Sequence, residues 1–253
     1  MKLLIIDTCG ATGSVALAGI NRQPPIVASV TLPGRTASER LVATIKDLTA
    51  QSGVSLQSLS AIAVVYGPGS FTGVRVGLSA AKGLCEALSL PLIAISRLEV
   101  LANLADPPPG VPVIALLDAG RGEFYSGIYA GGICLREAMV TRAELFAEIG
   151  SAATKTGGDA ATQPTQAARL VVACEAAVAR SIAELAPVLL AEPTAENALG
   201  LALLRLQARA FDDIATIDAN YLRRTDAEIF AKPQAGNVAA SHFAASHAES
   251  SPQ

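Results

Sequence analysis

Histidine is almost missing from this sequence: only His242 and His247 occur, both in an Ala- and Ser-rich C-terminal stretch, with none from Met1 to Ser241. A Ser–His or Cys–His catalytic pair within the folded body is thereby excluded, as is an H-x-x-x-H or H-E-x-x-H metal site. The two tail histidines stand five apart, off a common helical face, in a stretch expected to be unstructured. Tryptophan is absent and aromatics are only 4% of the chain, so a core must be built from Ala, Leu, Val and Ile. The four cysteines, Cys9, Cys85, Cys134 and Cys174, are scattered without a C-x-x-C. They suggest neither a zinc knuckle nor a disulfide framework and fit a reducing compartment. Net charge is -3 and Arg223-Arg224 is the only adjacent basic pair, so a strong nucleic-acid footprint is not expected. Lys2 and Leu3-Leu4-Ile5-Ile6 begin like a signal peptide, but Asp7 interrupts them and no long apolar span follows. A cytoplasmic protein without a membrane segment is expected.

What is present centres on Tyr66-Gly67-Pro68-Gly69-Ser70-Phe71-Thr72-Gly73-Val74-Arg75, between the apolar run Ala61 to Val65 and an alanine-rich segment. A strand, a tight loop made by Gly67, Gly69, Ser70, Thr72 and Gly73, and a helix are predicted. The loop's amides can crowd the helix N-terminus, to hold an anion or to fit against another backbone. No Lys follows the last glycine, which excludes the G-x-x-x-x-G-K-[ST] phosphate loop, and G-x-G-x-x-x-G is not the dinucleotide spacing. The helix predicted from Val74 to Leu88 has one narrow polar stripe, Arg75, Ser79, Lys82 and Glu86. The rest is apolar or small. Two readings fit: a central helix buried in its own domain, or a helix with a second apolar face kept for a partner chain.

Apolar runs predict strands over Leu3 to Asp7, Ser14 to Ala18, Ile26 to Leu32, Ala61 to Val65, Pro91 to Ile95, Val111 to Leu117 and Arg169 to Ala173, with alternation marking another over Glu123 to Tyr129. Helices are predicted after Thr36, which with Glu39 forms a capping box, after Ser96, from Thr141, from Glu175 to Ala186, and from Thr194 to Phe211. Ser151 to Ala168 reads as a loop. Asp106-Pro107-Pro108-Pro109-Gly110 is a stiff linker, which divides the chain into 1–105, 106–230 and a disordered tail 231–253, with helix 194–211 free to pack back on the first part. Two strands end in Asp, Asp7 and Asp118, and each turns back into a hairpin. Either Asp alone reads as turn chemistry; the pair suggests a duplicated, two-lobed α/β architecture with a cleft between lobes.

Together Ile6-Asp7-Thr8 with Ser14-Val15-Ala16-Leu17, Ser38-Glu39-Arg40-Leu41, the glycine loop through Gly77, Asp118-Ala119 with Gly122-Glu123-Phe124-Tyr125, and Tyr221-Leu222-Arg223 resemble the TsaB (YeaZ) family. The resemblance is close over about the first 130 residues and looser beyond. It implies an actin-like, sugar-kinase-like, Hsp70-like (ASKHA) α/β fold. It also implies a non-catalytic subunit for installing threonylcarbamoyl on N6 of adenosine 37 in tRNAs reading ANN codons, although this group was once labelled with M22-type glycopeptidases. The implied partners are a TsaD-like transferase, which holds metal through two histidines and is bound directly, and a TsaE-like ATPase in the complex. tRNA would be met only through the complex, and a homodimer would form in isolation. No cofactor is expected on this chain alone, with ATP or ADP at the level of the complex. Candidate cleft residues are Asp7, Thr8, Ser14 and Asp118; the candidate partner face is Leu41, Ile45, Val74, Gly77, Leu78, Ala80, Ala81 and Leu84. Ala37, Gly120 and Asn220 depart from the family pattern of His, Arg and Pro. The alternative is an active ATPase or phosphotransferase using Asp7 and Asp118.

Overall fold

The computed structural model describes residues 1–20, 23–33, 37–152 and 169–222. Thr36 of the expected capping box, residues 153–168 of the expected loop and the tail 231–253 lie outside the described residues. The first half runs β1 (Lys2–Asp7), β2 (Thr12–Gly19), β3 (Ile26–Pro33), α1 (Ala37–Gln51), β4 (Ala61–Val65), α2 (Phe71–Leu88), β5 (Leu92–Ile95) and α3 (Arg97–Leu104). The second half follows as β6 (Val113–Gly120), β7 (Glu123–Ala130), β8 (Ile133–Thr141), α4 (Arg142–Ala152), β9 (Leu170–Ala173), α5 (Ala176–Ser181) and β10 (Val188–Leu189). A 3-10 turn, Ala195–Ala198, and α6 (Leu199–Gln207) complete it.

Each half makes a five-stranded sheet, and the two orders match: β3-β2-β1-β4-β5 and β8-β7-β6-β9-β10. In both, the first three strands form an antiparallel meander and the fourth pairs parallel with the first. The parallel pairs lie at the centre, where helices cover both faces, so Leu3 to Asp7 and Ala61 to Val65 are buried residue after residue. That continuous burial is why these strands read as apolar runs. β8 and β10 were not expected; both are edge strands with exposed residues and therefore no apolar run to see.

The halves exchange helices. α3, which follows the first sheet, turns Leu98, Leu101 and Ala102 into a core with Val113, Ala115, Leu117 and Val172 of the second. In return Ala195, Ala198, Leu199, Ala202 and Leu206 join the core of the first sheet. The stretch expected as one helix from Thr194 is thus a 3-10 turn followed by α6, and it packs on the first sheet.

The expected partner face is corrected by burial. Leu41, Ile45, Val74, Leu78 and Ala81 are buried in the first core, and Gly77 lies against Thr8. α1 packs on β2 and β3, and α2 on β1 and β4, so these residues fill the space beneath the two helices. They have no surface left for another chain. α2 buries one stripe, Val74, Gly77, Leu78, Ala81 and Cys85. The second apolar stripe of the same helix, Val76, Ala80, Gly83, Leu84 and Ala87, stays half-buried or exposed, as does Val42 of α1, 64% exposed. Only Ala80 and Leu84 of the expected set remain on it.

Candidate functional site

A cleft of about 800 Å³ opens where the central strands β1, β6 and β9 end. It is lined by the β1–β2 turn from Thr8 to Ala11, by Gly69, Ser70, Thr72 and Gly73 of the glycine loop, and by Arg97, Asp118, Glu175 and Glu192. The carboxyl ends of parallel strands are where open α/β sheets usually place ligands.

The glycine loop is shaped by close approach. Gly69, Gly73 and Gly77 recur every four residues and dock on Thr8 and Cys9: a Cβ at Gly69 or Gly73 would overlap the Cys9 or Thr8 carbonyl oxygen, and one at Gly77 the Thr8 hydroxyl. Thr8 Oγ1 donates to the Gly73 carbonyl at 2.6 Å. Ser70 caps α2, its Oγ accepting from the Gly73 amide at 3.3 Å, so the helix starts at Phe71, three residues before expectation. Of the two purposes the sequence allows this loop, the structure fills one: it fits against another backbone.

The two aspartates share a turn contact and differ in everything else. Asp7 Oδ1 accepts from the Cys9 amide at 2.9 Å, and Asp118 Oδ1 from the Gly120 amide at 2.8 Å. Asp118 is exposed and lines the cleft, whereas Asp7 is 1% exposed and does not. Burial pushes the Asp7 carboxyl above the usual carboxylate range, and the Arg97 guanidinium opposes that rise. Thr8 reaches the cleft. Ser14 does not; its Oγ accepts from the Ala195 amide at 2.8 Å and ties the 3-10 turn to β2.

Arg97 is a cleft residue that no local pattern in the sequence marks. It opens α3, is only 4% exposed, and its Nη2 lies 2.8 Å from Glu192 Oε1. The same oxygen accepts from the Ala11 amide at 2.8 Å. Glu175 follows β9; burial raises its pKa, again opposed by Arg97, and its Oε2 is buried with no hydrogen-bond partner among the described residues. Burial pushes the neighbouring Cys174 thiol up to about 12, which leaves it protonated and a poor nucleophile at neutral pH. Arg97 and Glu192 stand 95 residues apart, and a lone charge after a strand looks like a cap, so no local signal marks them.

Outside the cleft lip, Phe71 is 65% exposed, with the Arg75 guanidinium 3.2 Å from its ring centroid and the Tyr221 ring 6.3 Å away. Asn220, where the resemblance expects proline, donates its amide to the Tyr66 carbonyl at 2.9 Å and its side chain to Glu137 at 2.7 Å. A proline could not make the first bond. Gly120, the departure on the β6–β7 hairpin, takes φ +75°, a backbone shape that an arginine adopts only under strain.

The family model described as TsaD, tRNA N6-adenosine threonylcarbamoyltransferase, matches residues 31–247. The chain belongs to this family. Within the TsaD family it is similar to two proteins named tRNA threonylcarbamoyladenosine biosynthesis protein TsaB. The one from Escherichia coli K12 is 38% identical over 130 residues, covering 51% of this chain and 55% of the relative. The one from Bacillus subtilis 168 is 36% identical with the same coverage. The chain therefore spans about half the length of the curated relatives it matches. Among solved structures, YeaZ from Pseudomonas aeruginosa aligns with TM-score 0.65 and 27% identity, over 87% of this chain and 99% of that one. The matched sheets of this TsaD-family chain are the two-lobed, actin-like (ASKHA) α/β fold that the sequence led one to expect. No helix among the described residues is long and apolar enough to cross a membrane.

Proposed function

We propose that this chain is a non-catalytic subunit in the formation of threonylcarbamoyl on N6 of adenosine 37 of ANN-reading tRNAs, and that it acts by pairing with a TsaD-like transferase. The observation that carries the reading is the histidine-free body from Met1 to Ser241, in a chain whose relatives are named for threonylcarbamoyladenosine biosynthesis. The transferase reading needs paired histidines for metal, and this chain has none to offer there. A pairing role instead needs a surface, and the second stripe of α2 supplies one. Val76, Ala80, Gly83, Leu84 and Ala87, beside Val42 of α1, form an apolar face of small residues that another helix can approach closely. A TsaE-like ATPase joins the pair, nucleotide and tRNA are met in the complex, and the isolated chain pairs with itself through the same stripe in the cytoplasm.

The test is Gly83→Arg. Nothing stands within 4 Å of a Cβ built at Gly83, and replacing a helical glycine stabilises by about 0.5–1 kcal/mol. The variant should therefore melt slightly higher than the parent while its affinity for the TsaD-like partner falls at least about 30-fold, as expected for a charge forced into a close-packed centre. It should also run as a monomer in size-exclusion chromatography. Unchanged co-purification would overturn the pairing surface, and ATP hydrolysis by the pure chain would overturn the non-catalytic role.

A further inference from the structure

Two aromatic rings and an arginine, brought together from distant parts of the chain, sit on the surface at the start of α2. Phe71 opens the helix and is 65% exposed; Tyr221, in the coil after α6, is 43% exposed. Neither ring is packed into a core of the described residues. Arg75, one turn after Phe71, is exposed and lays its guanidinium 3.2 Å from the Phe71 ring centroid and 5.1 Å from that of Tyr221. Tyr221 is brought there by Asn220, which is tied to the Tyr66 carbonyl and to Glu137.

Stacking uses the face of the guanidinium and leaves its edge. No described residue accepts from the Arg75 N–H groups, so a planar fork of donors is held out with part of its rotamer freedom already spent. That fork matches a carboxylate, two N–H groups to two oxygens, and arginine beside aromatic rings is the composition of interface hot spots. The stripe of α2 that carries Phe71 and Arg75 borders the apolar stripe of Val76, Ala80 and Gly83. We propose that Phe71, Arg75 and Tyr221 form an anchor for one Asp or Glu side chain of the protein that covers that stripe, the TsaD-like transferase. The proposal rests on the pairing role above and adds to it the polar contact that fixes the partner's register. Charge favours a protein carboxylate over RNA phosphates. Lys82, further along the Arg75 stripe, donates to the Ile217 carbonyl at 2.9 Å, and Glu86 beyond it is acidic. Arg75 is thus the one untied cation of α2 among the described residues, whereas an RNA surface gathers several.

The experiment measures binding of the purified TsaD-like transferase of the same organism to the full chain by calorimetry at low and high salt. Parent, Arg75→Gln, Arg75→Lys, Phe71→Leu and Gly83→Arg are compared, and circular dichroism verifies folding. Arg75→Gln should weaken binding at least about tenfold at low salt, and high salt should close most of that gap, since the contact lies at the rim of the stripe. Arg75→Lys keeps the charge but loses the fork and the stack, so it and Phe71→Leu should each fall between the parent and Arg75→Gln. No binding by the parent, or parental affinity in Gly83→Arg, would overturn the pairing surface itself. Parental affinity in Arg75→Gln beside lost binding in Gly83→Arg would overturn the anchor alone, as would a loss that salt leaves unchanged or an Arg75→Lys equal to the parent. An Arg75→Gln chain that pairs normally but lowers tRNA binding by the assembled complex would assign the cluster to RNA. One that loses only self-association would assign it to a second copy of this chain. Either result would overturn the proposal.

Discussion

Replacing Arg97 by methionine should destabilise the chain by about 3–5 kcal/mol at pH 7, the cost of removing one partner from a buried charge cluster. The Arg97 side chain is 5% exposed and pairs with Glu192, and its charge acts on Asp7 and Glu175. Methionine fills much of the volume but leaves buried carboxylates without a counter-charge. The loss should depend on pH in a direction fixed by those carboxyls. Burial already holds Asp7 and Glu175 above the usual carboxylate range, with Arg97 opposing; without Arg97 both rise further. A group whose folded pKa is raised contributes stability that is present below its unfolded pKa and lost as pH rises through the folded one. The deficit of the variant should therefore be widest at neutral pH and should narrow as pH falls toward about 4. Urea denaturation at pH 5 and pH 8 measures it. A deficit below about 1 kcal/mol, or one that grows on acidification, would remove Arg97 from the centre of the cleft's electrostatics.

The second large effect is expected at Gly73. An added Cβ meets the Thr8 carbonyl oxygen, which belongs to the backbone of the β1–β2 turn and has no rotamer to escape into. The start of α2 must then slide off the turn, which strains the Thr8 Oγ1 bond to the Gly73 carbonyl and the Ser70 cap. Gly73→Ala should lose about 2–3 kcal/mol through overpacking, net of the helix propensity it gains. Gly83→Ala, ten residues along the same helix with open space around it, should gain about 0.5–1 kcal/mol. Chemical denaturation of the two variants side by side separates close packing from propensity, since both make the same change in the same helix. A neutral Gly73→Ala would mean that the loop does not set the distance between α2 and β1.

These two sites mark the boundary of what the sequence discloses. The glycine loop, the central strands and the duplicated hairpins that carry Asp7 and Asp118 before their turns are legible because each is a local pattern: a cluster of glycines, continuous burial, a turn after a strand. β8 is not, because as an edge strand it exposes Ile133 to Arg136 and mixes apolar with charged residues. The apolar stripes of α2 are readable from helical spacing, yet spacing cannot say which one a sheet will cover; the position of β1 and β4 decides that, and it assigns Val74, Leu78 and Ala81 to the interior. Arg97, Glu175 and Glu192 meet only through tertiary structure. Nothing in the residues beside them announces the meeting. Asn220 was visible as a departure, but its bond to the Tyr66 carbonyl needed the fold.

The crossed placement of α3 and α6 has a consequence for anyone dissecting the protein. The proline-rich stretch at 106–110 looks like a natural place to cut, but a fragment ending at 105 would carry Leu98, Leu101 and Ala102 bare while missing the cover that Leu199, Ala202 and Leu206 give the first sheet. Its complement would be wrong in the reverse sense. Produced separately, both pieces should aggregate; produced together, they should find each other and be recovered as one soluble, nicked molecule.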